Sequence, residues 1–259
     1  MAPTPGVDIL HGLSDAEAGT LILAGVAMKV LVGTSGFAYK EWQGSFYPKD
    51  IKAKDMLRYY ATQLQGVEIN NTFYRMPSES VLRDWAEQVP DAFTFVLKAP
   101  QLITHRKRLK EVESPAALFF ERAGALGPRL GPLLFQLPPN LKKDMARLTT
   151  FLAQVPTDRR VALEVRHESW YDDEVYEALR GRDVALCVAD TDEAQMPFQA
   201  TAGWGYLRLR RVEYTTADLQ AWCARITSQA WRDAFVFFKH EDEATGPRLA
   251  RQFISMLPS

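Results

Sequence analysis

A chain of 259 residues, 47% of them hydrophobic, is long enough to bury a sizeable core, and barrels of alternating strands and helices reach this length as one unit. Its 31 Lys and Arg nearly cancel its 32 Asp and Glu, which excludes a global field that would draw in nucleic acid or anionic lipid. Cys187 in a strand-like run and Cys223 in a helical one exclude a disulfide framework, and the apolar run Leu21 to Met28 is too short to span a bilayer and has no basic residue before it. The expectation is a cytoplasmic protein with buried thiols and no membrane partner.

Residues 1–27 differ from the rest: Pro3, Pro5 and Gly6, small residues, no positive charge and no clear period. They are expected to form a poorly ordered extension or to reflect an upstream start, with the barrel domain covering 28–259. Lys29 to Val32 then reads as a first strand ending in Gly33-Thr-Ser-Gly36, followed by an aromatic loop with Phe37, Tyr39, Trp42, Phe46 and Tyr47. Ala53 to Leu64 has a helical period, and Gly66 to Asn71 is the second strand, leading into Thr72-Phe-Tyr-Arg75. Ser78 is placed to cap a helix through Glu87. Phe93 to Leu97 is the third strand, with Lys98 at its end and the basic run His105-Arg-Lys-Arg108 beyond it. Ser114-Pro115 opens the next helix.

Gly131 to Leu137 is the fourth strand, and a helix follows from about Lys142 to Val155. In the fifth, Val161-Ala-Leu-Glu-Val-Arg166, apolar residues alternate with Ala162, Glu164 and Arg166, the period of a strand with two different faces. His167, Glu168, Ser169 and Trp170 come next, then an acidic helix start at Asp172 and Asp173. Val184 to Ala189 is the sixth strand, ending at Asp190; Gly205 to Arg210 is the seventh, before a helix from Ala217 to Thr227. Ala234 to Phe238 is the eighth, ending in Lys239-His-Glu-Asp242, and a last helix runs from about Gly246 to Met256. Eight strands, nearly all followed by helices, predict an α/β fold, a single-domain (β/α)8 TIM-type barrel. An open doubly wound sheet would carry a glycine-rich phosphate turn after its first strand, and Gly33-Thr-Ser-Gly36 is too short and irregular for one.

In such a barrel the active site lies at the C-terminal strand ends, and residue parity sorts those ends. Val67 and Ile69 suit the helix layer, which sends Glu68 and Asn70 inward. The same logic sends Glu164 and Arg166 inward on the fifth strand, and Tyr206, Arg208 and Arg210 on the seventh. Lys98 and Gln136 fall at comparable depths. Strands one, six and eight are ambiguous, so Ser35, Asp190 and Lys239 are weaker placements. The resulting ring sets Lys98, Lys239, Arg166, Arg208 and Arg210 against Glu68, Glu164 and Asp190, a local cationic excess in a neutral protein. Structural ion pairing could account for any one of these residues.

Glu164, Glu68 and Asp190 are the expected catalytic acids and bases, a carboxylate beside an arginine being ionised and able to take a proton. The two glutamates could also form a glycosidase-type pair, and Lys98 or Lys239 could form a Schiff base if neighbouring cations depress its pKa. Arg166, Arg208, Arg210, Lys98 and Lys239 would clamp an anion, helped by Asn70, Gln136 and His167. Tyr39, Trp42, Tyr74 and Trp170 are expected to stack on a sugar or a base, loop packing being the plainer reading of such aromatics. His167, His240, Asp190, Asp242 and the glutamates have the chemistry of metal ligands, but no HxH or HExxH spacing occurs and the surrounding cations oppose a metal. No cofactor is expected, a divalent metal being the minor alternative.

Several of these end motifs together resemble the YecE-like family, barrels known as a domain of unknown function. They are Gly33-Thr-Ser-Gly-Phe37 with Tyr39 and Trp42, Glu68-Ile-Asn-Asn-Thr-Phe-Tyr-Arg75, Gly131-Pro-Leu-Leu-Phe-Gln-Leu-Pro-Pro139, Glu164-Val-Arg-His-Glu-Ser-Trp170 and Phe237-Phe-Lys-His-Glu-Asp242. They span residues 28 to about 257. The resemblance implies a TIM-type barrel, distantly similar to sugar isomerases and to a metal-dependent apurinic endonuclease, without the His-rich ligand set of those enzymes. The functional expectation is an enzyme acting on a small anionic, phosphorylated or sugar-containing molecule. The alternatives are a nucleic-acid-binding or phosphodiester-processing protein and a non-catalytic metabolite-binding protein.

Overall fold

The computed structural model describes residues 28–193, 196–239 and 242–258, so the expectations for residues 1–27 and for His240 lie outside the described residues. All strand pairings are parallel: β1 (Lys29–Ser35), β2 (Gly66–Ile69), β3 (Thr94–Lys98), β4 (Leu130–Gln136), β5 (Val161–Glu164), β6 (Ala185–Leu186), β7 (Val188–Asp190), β8 (Trp204–Leu209) and β9 (Asp233–Phe238). The sheet runs from β6 through β5, β4, β3 and β2 to β1, then through β9 and β8 to β7. Its two ends are consecutive segments parted only by Cys187, whose N–H donates to Leu163 O at 2.9 Å. The nine segments are therefore eight staves of a nearly closed (β/α)8 barrel, the sixth being split between its two neighbours.

The outer layer comprises α1 (Met56–Gln63), α2 (Glu79–Glu87), α3 (Glu113–Ala123), α4 (Met145–Gln154), α5 (Asp173–Arg180), α6 (Thr216–Thr227) and α7 (Thr245–Met256). Residues that can accept a backbone hydrogen bond mark the helix starts. Ser78, Asp144 and Asp172 cap α2, α4 and α5, and Thr215 with Asp218 forms a reciprocal capping box on α6. Ser114-Pro115 lies inside α3, which starts a residue earlier at Glu113. The basic run after β3 begins in a wide helical turn, Leu102–Arg106, which holds His105 and Arg106, and Lys107 and Arg108 follow it.

Strand alternation produces two separate cores. Outward residues such as Val67, Ile69, Leu133, Phe135, Leu163, Leu207 and Val236 pack under the helices. Inward residues fill the barrel: Leu31, Val96, Leu134, Ala162, Cys187, Trp204, Tyr206, Phe235 and Phe237. The interior is thus packed with side chains, as expected of a barrel this size. Two residues beyond this apolar plug the inward positions turn polar: Lys98 follows Val96, Gln136 follows Leu134, Glu164 follows Ala162 and Arg208 follows Tyr206.

On β1 the inward position is Gly33, and it sets the depth of the polar layer. Gly33 pairs with Gly66 and Ser35 with Glu68. A Cβ on Gly33 would lie 1.9 Å from Gly66 O, so the two strands could not keep their spacing. Gly66 O also accepts from the buried Tyr60 hydroxyl at 3.0 Å, which holds it from the helix side. Gly33→Ala is expected to lower stability by about 1–3 kcal/mol, the range for overpacking, as measured by denaturant unfolding.

Candidate functional site at the barrel mouth

The centre of the polar layer is one arginine between two glutamates. Arg208 donates from Nη1 to Glu164 Oε2 at 2.6 Å and from Nη2 to Glu68 Oε1 at 2.8 Å, with a longer bond to Asn70 Oδ1 at 3.4 Å. Arg208, Glu68 and Glu164 are each at most 2% exposed. Both carboxylates also accept from neighbouring side chains. Glu68 accepts from Tyr206 Oη at 2.6 Å, Ser35 Oγ at 2.8 Å and Asn70 Nδ2 at 3.1 Å. Glu164 accepts from Gln136 Nε2 at 2.6 Å and Arg166 Nε at 3.0 Å. Burial by itself would raise both carboxyl pKa values, but the guanidinium and the neutral donors outweigh it. Glu68 is held below its usual value, and Glu164 is held at about 2 by Arg208, Arg166 and Gln136.

Around this saturated centre stand cations with fewer partners. Arg210 approaches Glu164 Oε1 only to 4.0 Å, and its Nε is buried without a hydrogen-bond partner. Arg210 and Arg166 have side chains 21% and 30% exposed, so both reach the open end of the barrel. Lys98 is half-buried, with Nζ 4.3 Å from the centre of the Phe73 ring and no carboxylate within ion-pair distance among the described residues. Burial, then the charge of Arg208, push the Lys98 ammonium down to about 8. Burial and Arg208 likewise lower Arg210, and burial with Lys98, Arg166 and Arg108 lowers His105. Among the described residues, the two glutamates thus face Lys98, Arg166, Arg208 and Arg210, and the mouth is locally cationic.

A family model described as Protein of unknown function DUF72 matches residues 31–259. The chain belongs to the DUF72 family. UPF0759 protein YunF of Bacillus subtilis (strain 168) is 26% identical over 156 residues, 57% of this chain and 54% of that one, so the match spans about half the relative's length. A DUF72 family protein of Thermotoga maritima MSB8, known as a crystal structure, is 27% identical with a TM-score of 0.78, covering 88% of this chain and 98% of that one. A DUF72 family protein of Enterococcus faecalis V583 shares the fold at 19% identity, TM-score 0.71, over 88% of this chain and 94% of its own.

In this DUF72 barrel the structure brings together Glu68, Asn70, Lys98, Gln136, Glu164, Arg166, Arg208 and Arg210. Ser35 joins them through Glu68. Lys239 stands two residues beyond inward-facing Phe237, half-buried at the end of the eighth stave. Asp190 is a correction. It lies on the outer side of β7, where its Oδ2 accepts from Arg211 Nε and Tyr214 Oη, both at 2.8 Å, and from Trp222 Nε1 at 3.1 Å. Both faces of the sixth stave are apolar, so its parity could not be read from hydrophobicity; Cys187 faces in, which turns Asp190 out.

The expectations for Trp42 and Trp170 are also corrected. Trp42 and Trp170 are fully buried, Trp42 against Tyr39, Phe46 and Tyr47, and Trp170 with its Nε1 donating to Leu141 O at 2.7 Å. Neither offers a face to a ligand. Tyr39 spends its hydroxyl on Ser35 O at 2.8 Å, and His167 caps the turn Glu168–Trp170 by accepting from Ser169 N–H. Tyr74 is 74% exposed and sits edge-on to Phe73 at 5.1 Å, at the rim. Two supporting residues lie beyond a strand end, where alternation stops: Phe73, under Lys98 Nζ, and buried Thr72, which donates to Lys98 O. Tyr206, inward by parity, takes its role from its bond to Glu68.

No group of three or more potential metal ligands occurs among the described residues. The two glutamates, the strongest ligand candidates, already have their oxygens on Arg208 and its neighbours. Nor is any helix among the described residues long and apolar enough to cross a membrane. Cys187 and Cys223 are free and buried. A cavity of about 590 Å³ lies at the other end of the barrel, lined by Lys29, Leu31, Thr94, Arg160, Asp233 and Phe235. That end serves stability in barrels of this kind, so the cavity's size does not outweigh the chemistry at the mouth.

Proposed function

We propose that this chain is a YecE-like member of the DUF72 family and a cytoplasmic enzyme that binds a small anionic substrate at the barrel mouth. The carrying observation is the distribution of charge. Arg208 has both terminal nitrogens on Glu68 and Glu164, whereas Arg210 comes no nearer than 4.0 Å to Glu164 and, among the described residues, Lys98 pairs with no carboxylate. The Nε atoms of Arg208 and Arg210 are both buried without a partner among the described residues. A buried guanidinium nitrogen without a partner is costly, and an anion supplies what it lacks. Arg166 and Arg210 would hold a phosphate or carboxylate, with Lys98 beside it.

Proton transfer is better assigned to Lys98 than to the glutamates. A carboxylate held at about 2 is a weak base at neutral pH, and each of its oxygens already accepts hydrogen bonds. An amine near 8 is present in both forms at neutral pH and can give or take a proton. Glu68 and Glu164 then act as positioning residues that hold Arg208. A stacking interface for nucleic acid is weakened by the burial of Trp42 and Trp170.

Inorganic pyrophosphate is the probe that tests this reading. Calorimetric titration of the full chain should show binding that weakens as salt rises. Arg210→Ala should weaken it roughly tenfold, the loss of one charge-assisted contact, with little change in thermal stability. Absence of binding at low salt, or equal affinity in the variant, would remove the anion clamp.

A further inference from the structure

We propose that Lys98 Nζ forms a Schiff base with the carbonyl carbon of a small aldehyde or ketone that also carries a phosphate or carboxylate. The inference rests on the anion clamp and names the substrate class of the same site. It is carried by how the lysine is held. An ordinary surface lysine sits in water or on a carboxylate, and either partner keeps it an ammonium. Here the head lies against the face of Phe73, 4.3 Å from the ring centre, and no acidic side chain pairs with it among the described residues. The ring face attracts the cation, but far less than a carboxylate would, so loss of the proton forfeits this attraction and no ion pair. Burial and the neighbouring Arg208 and Arg166 favour the neutral amine, against the opposing pull of Glu68 and Glu164.

The backbone on which the amine stands is fixed. Lys98 O accepts from the buried Thr72 hydroxyl at 2.7 Å, and the next residue's N–H donates to Leu134 O at 2.8 Å. Phe73 is in turn braced edge-on by His105 at 4.8 Å. Arg166 and Arg210, both partly open to the mouth, are placed to take the anionic group while its carbonyl meets Nζ.

The chemistry balances without a redox partner. The Nζ lone pair attacks the carbonyl carbon as the C–O π electrons move to oxygen. A proton passes from nitrogen to that oxygen, giving a carbinolamine. Protonation of the hydroxyl by solvent then lets the C–O bond break, and water leaves as the nitrogen lone pair forms the C=N bond. One amine, one carbonyl and one proton yield one iminium and one water. The iminium, like the ammonium it replaces, is a cation that the Phe73 face tolerates.

Trapping with sodium borohydride tests this on the wild-type chain, so no variant has to fold. The protein is incubated at neutral pH with pyruvate or with glyceraldehyde 3-phosphate, reduced, digested and mapped by peptide mass spectrometry. Glyceraldehyde without the phosphate serves as the uncharged control. The expected result is labelling of Lys98 roughly tenfold or more above any other lysine, dependent on the anionic group and suppressed by excess pyrophosphate. Label spread evenly over surface lysines, or label on Lys98 equal with and without the phosphate, would overturn the proposal. The pyrophosphate titration separates the two readings. Binding without selective labelling rejects the imine and leaves the clamp; selective labelling without binding rejects the clamp. Lys98→Arg, which keeps the charge but not the nucleophile, should bind pyrophosphate and give no adduct at this position.

Discussion

Replacing Arg208 with methionine is expected to destabilise the protein by about 3–5 kcal/mol, the cost of leaving buried charge without its partner. The reason is local geometry. Among the described residues, Arg208 alone donates to both Glu164, at 2.6 Å, and Glu68, at 2.8 Å, and all three side chains are at most 2% exposed. Without it, Glu68 on β2 has no cation within ion-pair distance among the described residues, and Glu164 on β5 keeps only the partly exposed Arg166 and, at 4.0 Å, Arg210. In a chain of this size the loss corresponds to a fall of roughly ten degrees in melting temperature. Arg208→Lys should recover only part of it, because one ammonium cannot reproduce two divergent N–H donors. Adding Glu68→Gln and Glu164→Gln to Arg208→Met should restore most of the stability, since the unpaired charges are then gone. A single Arg208→Met variant as stable as the wild type in denaturant would show that the triad does not hold the barrel.

Acid should unfold the protein through the same three residues. The folded-state pKa of Glu164 is depressed from 4.5 to about 2, and that of Glu68 is depressed as well. A depressed carboxyl contributes stability that is fully present above its unfolded value. That contribution is lost as the pH falls from about 4.5 through 2, because the unfolded chain takes up the proton first. For Glu164 the loss is on the order of 3 kcal/mol across this window. Unfolding free energy measured from pH 6 down to pH 2.5 should therefore fall steeply for the wild type. The neutral triad, Glu68→Gln with Glu164→Gln and Arg208→Met, should fall less steeply by that amount. Parallel curves for the two proteins would place the acid sensitivity elsewhere in the molecule.

Both results bear on function because they divide the mouth into a part that is internally balanced and a part that is not. The balanced part is Glu68, Glu164, Arg208, Tyr206, Ser35, Asn70 and Gln136. It behaves as the floor of the site: its carboxylates are bonded to Arg208 and the neutral donors, Glu164 also to Arg166, and only Arg208 Nε in the triad has no partner among the described residues. The unbalanced part is Lys98, Arg166 and Arg210, which lie above that floor with fewer partners and some access to solvent. The proposed chemistry with an external molecule is assigned to the second group. Had only charge been counted, the two groups would be indistinguishable, and the glutamates would look like the reactive residues.

The sequence alone determined the barrel, because the period of two in the strands and their alternation with helices are local properties that survive without knowledge of contacts. It also determined that Glu68, Glu164, Arg208 and Arg210 point inward, since each lies on a strand whose other face is plainly apolar. Asp190 escaped this logic because the sixth stave is apolar on both faces, and Trp42 and Trp170 because loop aromatics have no parity. What only the tertiary structure decided is which charges cancel. Pairing depends on distances between strands far apart in the chain, such as the 2.8 Å from Arg208 to Glu68, and no periodicity encodes a distance. The physical reason is that burial makes a charge costly wherever it lies, while its role depends on whether a partner stands within hydrogen-bond reach.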